Sequence, residues 1–355
     1  MNCCISCFTS SYLTNIIQSN KEKGDCNFCG TENTNVYLAK ELLPFFRNIF
    51  NLYKADEKSK ISLWDAINID FKIIKTDCLS NSESLFKSIA HSEYEEFSNL
   101  FENNVSQESK ELLDIKSNEV QSIWDRFKEE IKHKNRFHIS RANLIDLNVL
   151  ETFFNSESFI KTIKKGRNFY RCRISNKTGY ENKDMWNPPK KFASSGRANP
   201  KGISYLYLGS RIETTFYESR ASLFDYASVA EFRLKDDIKI LDLRNPEYDI
   251  ISWSENDAVE LFLIYGSFIQ TLQGEISLPI RKQDKDLDYI PTQYISEYIK
   301  SLGFDGVEYQ SSLDNEGYNL AIFNPDKFAC IKTKVYDINS IKLDYTEIKP
   351  ENNNA

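Results

Sequence analysis

The feature that most narrows the folds open to this chain is a change of hydrophobic period near residue 166. Before it, apolar residues recur at helical spacing over 36–53, 61–75, 82–102 and 107–137. Pro44 is expected to kink the first of these and Ser62 to cap the second. In the last, Val120, Ile123, Trp124, Phe127 and Ile131 share one face. After residue 166 the pattern turns to short alternating runs: NFYRCRI, GISYLYLG, YASVAEFRL, IKILDL, VEYQ and LAIF. Two helical stretches interrupt them, 257–274, ending near Gly274, and 288–301. Side chains that line one face of a helix do not line one face of a strand, so the two patterns demand different architectures.

The chain is therefore expected to hold a mainly helical domain over 36–140 and an α+β domain over 166–335. A bridge at 141–165 joins them, with Leu147, Val149, Phe153 and Phe154 packing on one of the two. Its 355 residues are enough for two cores. Strands and helices do not alternate regularly, which favours α+β over a doubly wound sheet. No Gly-x-Gly-x-x-Gly follows a strand, so a Rossmann mode of dinucleotide binding is unsupported. The tail over 336–355 ends in EIKPENNNA, a polar stretch expected to lack fixed structure.

Residues 1–35 add a metal-binding pattern. Five of the 8 cysteines fall within the first 29 residues. Cys4-x2-Cys7 and Cys26-x2-Cys29 have the pair spacing of a tetrahedral four-thiolate zinc site, and Gly30 suits the tight turn of a knuckle. Cys3 competes with Cys4 for the first position at a poorer spacing. Such a site would be structural, because four thiolates leave no coordination position for a substrate. Two disulfides are the alternative, disfavoured in a chain read as cytoplasmic. Cys78, Cys172 and Cys330 are isolated and read as core residues.

A net charge of −7 provides no global field for nucleic acid or anionic membrane. No apolar run approaches the roughly 20 residues of a membrane helix. MNCCISCFTSSYL does not read as a secretory leader.

The chemistry concentrates in GRANPKGISYLYLGSRIETTFYES, Gly196 to Ser219. A Gly/Pro/Asn turn carries Arg197, a strand carries Tyr207 and an amphipathic segment carries Glu218. A guanidinium that cannot lose its charge, an aromatic face and one carboxylate suit cleavage of a pyridine-nucleotide glycosidic bond. The stretch resembles the RES domain, a family of NAD-degrading toxins named for an Arg, a Glu and a Ser. Tyr170-Arg171-Cys172-Arg173 resembles the strand that opens that domain. YIPTQYISEYIKSLGFDGVEYQSS (Tyr289 to Ser312) and GYNLAIFNP (Gly317 to Pro325) resemble its later elements. Together these landmarks cover about 165–330. Ala198 departs from the aromatic residue that short members carry after the Gly-Arg pair.

The resemblance implies an ADP-ribosyltransferase-like domain, with NAD as substrate and the nicotinamide–ribose bond as target. Arg197, Tyr207, Glu218 and Ser311 are the catalytic candidates, with Ser312 as the alternative serine. Arg171, Arg173, Asn199, Gly202 and Arg220 are candidates for holding the dinucleotide, and Thr292, Gln293 and Asn319 stand behind them. The acceptor is open among water, phosphate and a macromolecule. The resemblance also implies an antitoxin or regulatory partner, and a homo-oligomer is expected. The helical half resembles the N-terminal region found ahead of RES domains. Two other readings place function in that half: a HEPN-like ribonuclease using Arg126 and His133, or a zinc-dependent binding module.

Overall fold

The computed structural model describes residues 1–244, 249–254, 258–278 and 285–341; the tail sequence 347–355 lies outside them. The chain divides into two units, Met1–Ile145 with Pro246–Leu272, and Asp146–Asn245 with Gln273–Ala355.

In the first unit, local signals place most helices where the sequence pattern puts them. Ser62 caps Leu63–Phe71 by accepting from Asp65 N. The charged stretch after 107 is a single helix, Lys110–His133, which buries Leu113, Trp124, Phe127 and Ile131. Pro44 behaves differently from expectation. It sits in the first turn of Leu43–Phe50, where its missing N–H costs no helical hydrogen bond, so it starts the helix instead of kinking one. The residues before it form the strand Thr34–Leu38, central in a three-stranded sheet with Asn2–Cys4 and Lys23–Gly24. Aromatic rings fill the core: Phe50 lies 6.1, 5.3 and 5.7 Å from Phe86, Phe97 and Phe101. Ile250, Ile251 and Val259 belong to this same core, although their segment was read from sequence as part of the C-terminal domain. Hydrophobic period alone does not reveal which core an apolar stretch joins.

The second unit is built on an eight-stranded sheet. Its strands are β1 (Ile160–Ile163), β2 (Asn168–Ser175), β3 (Leu206–Gly209), β4 (Tyr226–Leu234), β5 (Ile238–Asp242), β6 (Gly306–Gln310), β7 (Tyr318–Ile322) and β8 (Phe328–Asp337). Their order is β8-β4-β2-β3-β7-β6-β5-β1, antiparallel except for the β5–β6 pair. Helices α1 (Ile212–Glu218) and α3 (Ile290–Ser301) belong to this unit, and α2 (Val259–Ser277) enters it only with its last residues, from Gln273. The bridge expected at 141–165 supplies Leu147–Phe154, which buries Leu150, Phe153 and Phe154, and then β1.

Pleating divides the sheet. Leu206, Leu208, Phe232, Ile240, Leu320 and Ile322 build a hydrophobic core on one face. Tyr207, Tyr309 and Asn319, at intervening positions, belong to the other. Between β2 and β3 only Tyr170 and Gly209 are paired, so the sheet splays there. Among the described residues, no helix is long and apolar enough to cross a membrane.

Candidate active site

A cavity of about 150 Å³ opens at that splay. Tyr170, Arg171 and Cys172 line it from β2, Tyr207 to Gly209 from β3, and Thr215, Glu218 and Ser219 from the α1 end. Tyr309 of β6 and Asn319 of β7 complete it. Gly209 is required at the strand-to-helix passage, since a Cβ there would lie 2.7 Å from Thr215 Cγ2.

Glu218 is the last residue of α1, and one of its oxygens is fixed twice. Oε1 accepts from Ser311 Oγ at 2.8 Å and from Asn319 Nδ2 at 2.7 Å. Ser311, on the chain leaving β6, is buried, whereas Ser312 is exposed. The geometry thus brings Ser311, not Ser312, to the carboxylate.

Tyr207 stands on the same sheet face. Its hydroxyl donates to Asn199 Oδ1 at 2.7 Å and accepts from Ala198 N at 3.1 Å. Burial pushes its phenol up to about 12, so it remains neutral at physiological pH. Asn199 meanwhile donates to the carbonyls of Ser194 and Ile203, bracing the turn. Gly202 has φ +89°, the left-handed backbone of a turn glycine. Both residues therefore shape the loop and do not line the cavity.

Arg197 reaches the site through Tyr309. Its guanidinium carbon lies 5.3 Å from the centre of that ring. NH1 donates to the carbonyls of Ile276 and Ser277 at 3.1 and 3.0 Å, where the C-terminal end of α2 presents partial negative charge. The loop bearing Arg197 is anchored from α3: Thr292 Oγ1 donates to Arg197 O, and Gln293 Nε2 to Gly196 O. Thr292 and Gln293 are thus supports for the loop.

The two arginines of β2 part company. Arg171 lines the cavity, and its NH1 donates to Tyr207 O at 3.1 Å across the splay. Its Nε is buried without a hydrogen-bond partner among the described residues. Burial pulls this guanidinium down to about 10, still a cation at neutral pH. Arg173 is exposed, donates to Asp184 O and stacks 4.4 Å from the centre of Tyr180. It does not line the cavity. Arg220 follows Ser219 with φ +53°, ending α1 in left-handed backbone.

Tyr309 was overlooked in the sequence. Period-two alternation from Ser311 along GVEYQ places it on the same face, and that was the available signal.

Near the N-terminus, the Sγ atoms of Cys4, Cys7, Cys26 and Cys29 all lie within 4.8 Å of one another. Cys4–Cys29 and Cys7–Cys26 are separated by 3.4 and 3.5 Å. Tetrahedral thiolates about 2.3 Å from one ion would be about 3.8 Å apart. Cys3 stands aside: its thiol donates to Tyr37 O, and burial pushes it up to about 12. Arg126, a candidate for ribonuclease chemistry, donates to Ser122 Oγ and Asn143 Oδ1.

The fold and site define an α+β protein with a cavity lined by a carboxylate, Glu218, and by Tyr170, Tyr207 and Tyr309. Family comparison sharpens this: the RES domain model matches residues 168–345 and the HEPN/RES N-terminal domain 1 model matches residues 19–144. The chain belongs to the RES domain family. Among solved structures, a chain of the M. tuberculosis MbcT–MbcA toxin–antitoxin complex aligns with TM-score 0.30 and 14% identity, covering 54% of this chain and 91% of that one. A search of curated proteins finds no match.

Proposed function

We propose that this protein consumes NAD by cleaving its nicotinamide–ribose bond. The observation that carries the reading is the Glu218 carboxylate, held by Ser311 and Asn319 in a cavity shared with Tyr207, Tyr309 and Arg171. Membership of the RES family supports NAD as substrate.

The chemistry asks little proton transfer of the protein. As the C1′–N1 bond breaks, its electron pair neutralises the pyridinium and nicotinamide leaves uncharged. Positive charge is left on the ribosyl oxocarbenium. Glu218 stabilises that charge, and its pre-fixed Oε1 avoids reorganisation during the reaction. Tyr207 and Tyr309 offer aromatic walls. Arg171, a cation whose Nε has no hydrogen-bond partner among the described residues, supplies positive charge for the pyrophosphate, with Arg197 behind Tyr309 adding to it. An acceptor then adds to C1′; if it is water, it loses a proton and gives ADP-ribose.

The N-terminal thiolates would hold a structural zinc ion, which would tie residues 4–7 to 26–29. Depletion of NAD harms the cell that performs it, so restraint by an antitoxin-like or regulatory partner belongs to this reading.

The test is nicotinamide release from NAD by wild type and Glu218→Gln. Wild type should release it, and the variant should lose at least about 100-fold in rate with unchanged circular dichroism. ADP-ribose as co-product identifies water as acceptor, a phosphate requirement identifies phosphate, and dependence on added protein or RNA identifies transfer. Equal release by both forms would overturn the site assignment.

A further inference from the structure

Ser311 has a hydrogen-bond arrangement that fixes its role. A hydroxyl offers one proton and two lone pairs. Ser311 Oγ accepts from Leu313 N at 3.3 Å and from Asp314 N at 3.2 Å, so its proton is directed to Glu218 Oε1 at 2.8 Å. Which way that hydroxyl points therefore depends on the loop 311–317 that supplies the two amides.

The loop is closed on itself. Gly317 N donates to Asp314 O at 3.2 Å, Ser311 N to Gly317 O at 3.3 Å, and Gln310 Nε2 to Gly317 O at 2.9 Å. It is then fastened to α1, because Thr214 Oγ1 donates to Asp314 Oδ2 at 2.5 Å. Thr214 is fully buried and precedes Glu218 by four residues, one turn along the same helix face. Packing at this tie leaves no slack: a Cβ on Gly317 would lie 1.9 Å from Thr214 Oγ1. A second tie, Arg211 to Glu316, is exposed and contributes little.

We propose that Thr214 and Asp314 are positioning residues: their partly buried hydrogen bond locks loop 311–317 onto α1, so that Ser311 serves as a donor to Glu218 and not as a contact to substrate. This rests on the reading of Glu218 given under the proposed function. One helix thereby carries the reacting carboxylate and, one turn earlier, the anchor of the loop that orients it. Neither Thr214 nor Asp314 lines the cavity.

The experiment measures kcat and KM for nicotinamide release from NAD, together with melting temperature. Thr214→Val removes the hydroxyl at nearly constant shape, and Thr214→Ser keeps it. Thr214→Val should lower kcat by about 10- to 100-fold with KM nearly constant, as misplacement of a reacting group does. Thr214→Ser should stay within about threefold of wild type, since the donor is retained. In a Ser311→Ala background, Thr214→Val should cost nothing more, because both act through one hydrogen bond. If Thr214→Val does not fold, Asp314→Ala breaks the tie from the loop side and is held to the same expectations. A kcat equal to wild type, a change confined to KM, or a loss that persists fully in the Ser311→Ala background overturns the proposal. Wild type that releases no nicotinamide overturns the functional reading first, and this inference falls with it.

Discussion

Tyr207 and Glu308 show how burial on the two faces of one sheet is put to different use. Tyr207 is kept as a neutral phenol whose hydroxyl ties Asn199 to Ala198 N. Tyr207→Phe keeps the aromatic wall but leaves those partners unmatched. It should cost about 1–2 kcal/mol in urea unfolding and lower turnover less than Glu218→Gln does. Glu308 is fully buried on the opposite face. Its Oε1 meets Lys161 Nζ at 2.7 Å, and its Oε2 has no partner among the described residues. Burial pushes this carboxyl above the ordinary range, against the pull of Lys161 and Arg244. A folded-state pKa above the unfolded one means the folded state holds the proton more tightly. Its contribution to stability is therefore greatest below about pH 4.5 and declines as pH rises toward the raised value. Glu308→Gln should flatten that decline, as read by unfolding midpoints across this pH window. At this scale the sequence was informative where motif spacing was tight. Arg197, Tyr207, Glu218 and Ser311 could be picked out, and the structure seats Tyr207, Glu218 and Ser311 together. Asp314 carried no signal, because its importance lies in a hydrogen bond across about 100 residues of sequence.

Local signals also explain which elements were readable. Strands β4 and β5 are mostly buried and apolar, and with β2 they form close to their expected bounds. β8 was missed. Phe328–Asp337 is a ten-residue edge strand with Lys332 and Lys334 among half-exposed neighbours, a composition that protects an open edge and weakens the strand pattern. GISYLYLG was read as one strand, but only Leu206–Gly209 pairs, because the preceding residues are spent on the turn held by Asn199. That turn tolerates little change. A Cβ at Gly196 would lie 2.4 Å from Asn199 Oδ1 and 2.8 Å from the Tyr207 hydroxyl. Gly196→Ala should destabilise the protein by about 1–3 kcal/mol and depress turnover, measured by melting temperature and nicotinamide release.

For the whole molecule, the change of period at residue 166 read correctly as two architectures, but the partition of the chain between cores did not show in the pattern. An apolar helix advertises that it must be covered, not by what. The cysteine cluster provides a direct check on the first unit. Metal analysis should find one zinc per chain. Cys26→Ser, or prolonged chelation, should lower the thermal midpoint of that unit, since metal binding of this kind is coupled to folding. Glu218→Gln should leave that midpoint alone.

The first unit draws its core from both sides of the second along the chain, with Ile250, Ile251 and Val259 returning to it from beyond β5. A protease that cut near residue 145 would consequently not liberate a tidy C-terminal fragment. The remainder would still carry those side chains, stripped of their cover at roughly 1.5–3 kcal/mol for each large one. Such a fragment would be sticky and short-lived.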